Sequence, residues 1–192
     1  LIDIGTHALD LTLWMMNNYK PKYVVGNTYH KLAQTENAAN AFGPWNPAEF
    51  TVEDSAFGFI VMENGATIYL ESSWALNSLD VGEAQTTLHG TQGGADMKDG
   101  LRINGEADGM MYDKTMVLEP GGVDFYDGSG DDPAYLEAKQ WIESIQNDTE
   151  PVVSPEQALV VTQILEAIYQ SAKTGAPVYI NQHKEELGKI LV

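Results

Sequence analysis

Cysteine is missing altogether from the 192 residues, which excludes disulfides, thiolate nucleophiles and Cys-ligated zinc or iron–sulfur centres. Basic residues are scarce. Ten Lys and Arg stand against 28 Asp and Glu, a formal net charge of −18, and no Lys/Arg cluster offsets it. Such a field repels a polyanion, so neither nucleic acid nor an anionic membrane is expected as a partner. Solubility accounts for the charge just as simply. No stretch approaches the roughly 18 consecutive apolar residues of a membrane-spanning helix. A glycine-rich loop opening a helix is also lacking, since Gly93-Gly94 falls between strand-like segments and is not a dinucleotide fingerprint. The chain starts at Leu1 without a methionine or signal sequence and runs straight into a polar motif. It therefore reads as a piece of a longer chain, with any targeting segment upstream and a cytoplasmic location expected.

What is present suits one globular domain with a real core, at 43% hydrophobic and 20% charged residues. Residues 3–18 read as a helix stopping near Asn17-Asn18, with Pro21 beyond. Residues 22–30 are β-branched and aromatic, as a strand requires, and residues 31–50 lack periodicity and read as a long loop. Residues 54–63 and 66–75 flank Asn64-Gly65, a two-residue hairpin signal. A two-residue turn would set Phe59 opposite Leu70 and Val61 opposite Ile68, with Ile60 opposite Tyr69 and Met62 opposite Thr67 on the other face. Both faces would then be partly apolar, one covered by helices and the other, around Ile60, Tyr69 and Met62, seeking a second partner.

Short strands are expected at 84–89, 94–97, 101–104 and 110–118, followed by an acidic, glycine-rich loop over 120–132. Asp132 can cap a helix opening at Pro133, with Ala134, Ala138, Trp141, Ile142 and Ile145 on its apolar side. Ser154-Pro155-Glu156-Gln157 is a capping box for a second helix, striped by Val161, Leu165, Ile168 and Ala172 and stopped at Gly175. Residues 178–180 can form a last strand. The sum is an α+β fold with an open, largely antiparallel sheet and helices packed on one face, in one domain over 1–192.

The densest polar cluster is Asp3-Ile4-Gly5-Thr6-His7-Ala8-Leu9-Asp10. At about 100° per residue, Asp3, His7, Asp10 and Trp14 fall within about 60° on a helix wheel, and Gly5 permits a close approach. Three readings fit this spacing. The first is an acidic helix start favoured by the helix dipole, with a histidine bonded into the core. In the second, Asp3, His7 and Asp10 supply metal ligands, although His30, His89 and His183 lie far off in sequence. The third is acid–base chemistry at a hydroxyl or carbonyl, the carboxylates orienting the imidazole and stabilising its charged form.

The opening resembles the D-x-G-x-H-x-x-D signature of the Gfo/Idh/MocA oxidoreductases, the glucose–fructose oxidoreductase and inositol dehydrogenase family. Glu53-Asp54-Ser55-Ala56, Asn64-Gly65-Ala66 and Glu71-Ser72-Ser73-Trp74 resemble that family's hairpin segment. The run from Leu88 to Gly94 is similar to its GT-x-GG turn, and the run from Ile164 to Gly175 to its closing helix. The likenesses follow in order over nearly the whole chain. The resemblance implies an α+β domain like the C-terminal domain of glyceraldehyde-3-phosphate dehydrogenase. It also implies a Rossmann domain upstream, absent from this chain, which binds NAD or NADP and carries the lysine of an E-K-P motif. By the same likeness His7 is the proton acceptor or donor and Asp3 positions a sugar or polyol substrate, with Asp10 supporting the helix, His7 or the substrate. Residues 1–192 alone are then expected to bind no cofactor, hold no metal and turn nothing over. Trp45 and Asn46 in the long loop are further candidates for the substrate side, with an aromatic packing the loop onto the sheet an equal alternative. Trp74 and Asn77 at the end of the hairpin could point into the cleft, although core packing is the simpler reading of Trp74. Trp14, Met15 and Met16 read as helix packing. The resemblance further implies a homodimer or homotetramer formed through the sheet face. The alternative is a non-catalytic oligomerisation or sugar-binding module of the same fold, with a metal-dependent hydrolase or isomerase a distant third.

Overall fold

The computed structural model describes residues 1–36, 44–79, 85–98, 100–116 and 133–180. In chain order the helices are α1 (Ile4–Met16), α2 (Pro133–Asn147) and α3 (Pro155–Thr174). The strands are β1 (Pro21–Tyr29), β2 (Ser55–Met62), β3 (Thr67–Ser73), β4 (Thr87–His89), β5 (Gly93–Asp96), β6 (Arg102–Ala107), β7 (Met110–Thr115) and β8 (Val178–Tyr179). They form two compact units, one of Leu1–Ala84 with Gln157–Val192 and one of Gln85–Glu156. The expected α+β, antiparallel architecture holds, with the strands shared between two four-stranded sheets.

The first unit is a sheet of order β3-β2-β1-β8, antiparallel throughout, with α1 and α3 on one face. Leu9 and Leu13 of α1 and Val161, Ile164, Leu165 and Ile168 of α3 bury against Val24, Ile60, Met62, Ile68 and Leu70. Each such side chain removed from water contributes roughly 1.5–3 kcal/mol. α1 ends where Asn17 takes a left-handed φ of 45° and the Asn17 and Asn18 amides bond back to Trp14 and Leu13. α3 ends at Gly175, φ 68°. The close fit of α3 depends on two glycines paired across β1 and β2. A Cβ on Gly26 would lie 2.7 Å from Ile168, and one on Gly58 only 2.5 Å from it. Beside them the Gly26 amide donates to the buried Ser171 hydroxyl at 3.0 Å.

The β2–β3 register differs from the two-residue expectation. Phe59 faces Tyr69, Ile60 faces Ile68 and Val61 faces Thr67. The loop holds three residues, the Gly65 amide bonding to the Met62 carbonyl and the Met62 amide to Ala66, with Gly65 alone of the pair left-handed at φ 86°. The reason is tertiary. Gly58 must face α3 and Ser72 must face α1, and these two sides of β2 and β3 coincide only with an odd loop. Ile60 and Met62 consequently lie in the core and not on the outer face. The outer face instead presents Val25, Phe59, Tyr69 and Tyr179, all exposed.

In the second unit β4 to β7 follow one another as an antiparallel meander. Here Asp108-Gly109 is a true two-residue turn, both residues at positive φ (55° and 75°) between the paired Ala107 and Met110. Tyr112 lies over Gly105, where a Cβ would meet its hydroxyl at 2.6 Å, and Lys114 sits 4.6 Å from the centre of the Tyr112 ring. α2 opens at Pro133 as expected, and its Trp141, Ile142 and Ile145 are exposed. The expected Asp132 cap lies outside the described residues.

Candidate functional site

α1 has two faces of different character. Leu1, Gly5, Leu9 and Leu13 turn inward, and a Cβ on Gly5 would come within 2.8 Å of Leu1 and 3.3 Å of Ser72 on β3. That glycine lets the first turn of the helix lie directly on the sheet. Asp3, at the N-cap position, His7 and Trp14 are exposed on the opposite face, and Asp10 is half-buried. His7 is therefore no core histidine. Asp10 lies near Tyr19, whose phenol is pushed up by burial and by that carboxylate. Trp14, expected to pack, is 60% exposed. Among the described residues no three His, Asp or Glu side chains converge as metal ligands would.

Two buried carboxylates at the start of β2 tie this end of the sheet together, and periodicity gave no warning of them. Glu53 accepts from the Leu1 nitrogen and, at 2.8 Å, from the hydroxyl of Tyr169 on α3. Burial works against its charge, but these bonds and the ammonium charge on Leu1, where residues 1–192 begin, outweigh burial and hold the carboxyl below its usual range. Burial and the facing Glu53 carboxylate push the Tyr169 phenol up to about 12. Asp54 accepts from the amides of Lys31, Leu32 (2.7 Å) and Ala33 (3.2 Å) and from the Ser55 hydroxyl (3.1 Å). It thereby folds the chain leaving β1 back over the sheet. Burial again opposes its charge, and the three amides with the hydroxyl more than compensate, so its carboxyl too lies below the usual range. A sequence signal did exist in the two adjacent carboxylates opening an apolar strand.

The aromatic candidates meet at the same end. Trp45 donates from Nε1 to the Ala33 carbonyl at 2.8 Å, and Trp74 from Nε1 to the Glu53 carbonyl at 2.9 Å. Their rings stand edge to face at 5.8 Å, and Phe50 packs 4.8 Å from Trp74. Asn46 accepts from the Ala48 amide at 3.1 Å and caps the 3₁₀ turn Pro47–Glu49. Asn77 is exposed.

A second concave surface lies on the β4–β7 sheet, lined by His89, Asp96, Arg102, Asn104 and Asp113. Its strongest charges face each other, Arg102 holding Asp96 bidentately at 2.7 and 2.5 Å and keeping that carboxyl below its usual range. The glycines of β5 do not form a phosphate loop. Gly93 pairs with Gly105 in the ladder and the Gly94 amide bonds Asn104 Oδ1 at 2.6 Å. Gly93 and Gly94 thus do not make the phosphate-binding turn of a dinucleotide fold.

A family model described as the C-terminal alpha/beta domain of an oxidoreductase family, Gfo/Idh/MocA, matches residues 1–180. The D-glucoside 3-dehydrogenase of Escherichia coli (strain K12) is 30% identical over 182 residues, covering 93% of this chain and 48% of that protein. The fold is similar to that of an aldose-aldose oxidoreductase from Caulobacter crescentus complexed with glycerol. The TM-score is 0.63 at 18% identity, over 92% of this chain and 46% of that one. It is also similar to an oxidoreductase from Agrobacterium radiobacter in complex with NAD+, L-tartaric acid and magnesium, with a TM-score of 0.63 at 20% identity, over 94% and 49%. The chain spans about half the length of the relatives it matches.

Proposed function

The chain belongs to the Gfo/Idh/MocA oxidoreductase family as its C-terminal alpha/beta domain, and from that membership we propose that the whole protein is an NAD- or NADP-dependent dehydrogenase or reductase. Its substrate is a sugar, polyol or related hydroxy compound, with a glucoside favoured by the E. coli relative. The carrying observation is that Asp3 and His7 share the exposed face of a helix whose other face is locked against β3 through Gly5 and Ser72. Side chains on such a rigid element are held in place and remain open to a ligand. His7 takes the proton from the reacting hydroxyl, or returns it in the reverse direction, and Asp3 holds the substrate beside it. Asp10 supports that face, and Trp45, Asn46 and Trp74 line the substrate side. The cofactor belongs to a Rossmann domain outside residues 1–192, so these residues alone turn nothing over.

The deciding experiment follows nicotinamide reduction by the full-length protein on a panel of glucosides, aldoses and polyols, beside its His7→Ala variant. The parent is expected to turn over at least one compound, and the variant to lose about a hundredfold or more, the scale of a missing general base. A full-length protein that binds no nicotinamide cofactor would instead support the non-catalytic module. That reading draws on the exposed outer face of the β3-β2-β1-β8 sheet, through which we also propose a homodimer or homotetramer.

A further inference from the structure

We propose that Trp74, framed by Trp45 and Phe50, is a stacking surface for the group attached to the sugar, so that the protein prefers glycosides bearing a flat apolar ring. The inference rests on the sugar-substrate reading and narrows its substrate class. Both indole N–H groups are turned inward to backbone carbonyls, Trp45 to Ala33 and Trp74 to Glu53. The Trp74 amide is bonded as well, to the Asp54 carbonyl at 3.1 Å. Trp74 is thus fixed at both ring and backbone and Trp45 at its ring, and their outward surface is carbon without a donor. Packing alone would bury that surface, yet Trp74 is 36% exposed, and Leu76, two residues on, and Val52, next to the Glu53 that holds the Trp74 indole, are exposed too. A ring already ordered gains from stacking without a new entropic cost.

The position suits a neighbouring subsite. Ser72, two residues before Trp74, lies under Gly5 in the first turn of α1. Glu53, whose carbonyl holds the Trp74 indole, reaches the Leu1 nitrogen with its carboxylate. The platform and the Asp3–His7 turn therefore lie at one end of β3, in one unit. The ring it receives is either an aromatic aglycone or the C–H face of a second sugar, both of which offer a flat apolar surface.

The test is calorimetric binding of methyl β-D-glucoside, phenyl β-D-glucoside and cellobiose to the full-length protein, its Trp74→Leu and its Trp74→Phe variants. In the parent, phenyl glucoside or cellobiose is expected to bind roughly 3- to 10-fold tighter than methyl glucoside, the scale of one aromatic pair. Whichever ligand shows the gain identifies the source of the ring. The gain disappears in Trp74→Leu and is largely kept in Trp74→Phe, which guards against a variant that merely fails to fold. Equal affinities in the parent, including no binding of any ligand, overturn the proposal, as does a preference that survives in a natively melting Trp74→Leu. A ring preference without oxidation of the bound glycoside would sink the dehydrogenase reading and leave the platform standing, and oxidation without preference would do the reverse.

Discussion

Asp54 carries more of the local structure than any other single charged side chain described at this end of the sheet. Its carboxylate gathers the amides of Lys31, Leu32 and Ala33 while almost wholly buried. Replacing it with alanine leaves those donors without their acceptor, and we expect a loss of about 2–4 kcal/mol in thermal or urea unfolding. Because the folded carboxyl lies below its unfolded value, its stabilisation is fully present above the unfolded carboxylate range of about 4 and is lost as pH falls through the folded pKa. The melting difference between the parent and Asp54→Asn should thus be largest near neutrality and shrink below about pH 4. A difference that stays constant down to pH 2 would show that the charge contributes nothing. The common face of Asp3 and His7 was legible in the sequence, because helical period alone decides it. The burial of Asp54 was not, since it depends on where three amides of a non-periodic loop come to rest.

At the level of elements, the Gly26–Gly58 pair sets how closely α3 approaches the sheet. The two glycines are not equivalent. On Gly58 a methyl would meet chiefly the Cδ1 of Ile168, the mobile tip of a side chain, whereas on Gly26 it would also lie 2.9 Å from the Phe57 carbonyl, which cannot turn away. Gly26→Ala should therefore lower the melting temperature more than Gly58→Ala, each costing about 1–3 kcal/mol by overpacking. Ile168→Val, which removes that Cδ1, should recover part of the loss in Gly58→Ala and little of it in Gly26→Ala. Equal costs with no rescue would mean that α3 shifts as a body. Helix ends were readable from Asn17, Pro155 and Gly175, whose backbone preferences are local. The length of an Xaa-Gly turn was not readable from the dipeptide alone. Asp108-Gly109 closes a two-residue turn and Asn64-Gly65 a three-residue one.

At the scale of the whole molecule, the exposed Val25, Phe59, Tyr69 and Tyr179 leave one sheet face apolar on a chain of net charge −18. Copies associating through this face do so against mutual repulsion, so association should strengthen as salt screens the charge. Light scattering on the full-length protein should give a dimer or tetramer, and the double variant Phe59→Glu with Tyr69→Glu should be monomeric with its thermal unfolding little changed. A monomeric parent would remove the oligomer proposal, and an unaltered mass in the variant would move the interface elsewhere.

The sequence by itself determined the antiparallel α+β architecture, the helix boundaries and the grouping of Asp3, His7 and Asp10, because period, capping residues and turn glycines act over a few neighbouring residues. Only the tertiary structure decided the face of β2 that is buried, the removal of Ile60 and Met62 to the core, and the meeting of Trp45 with Trp74. Each of these depends on a contact between segments far apart in sequence, where Ile168 needs Gly58, Gly5 needs Ser72, and two buried carboxylates need their donors.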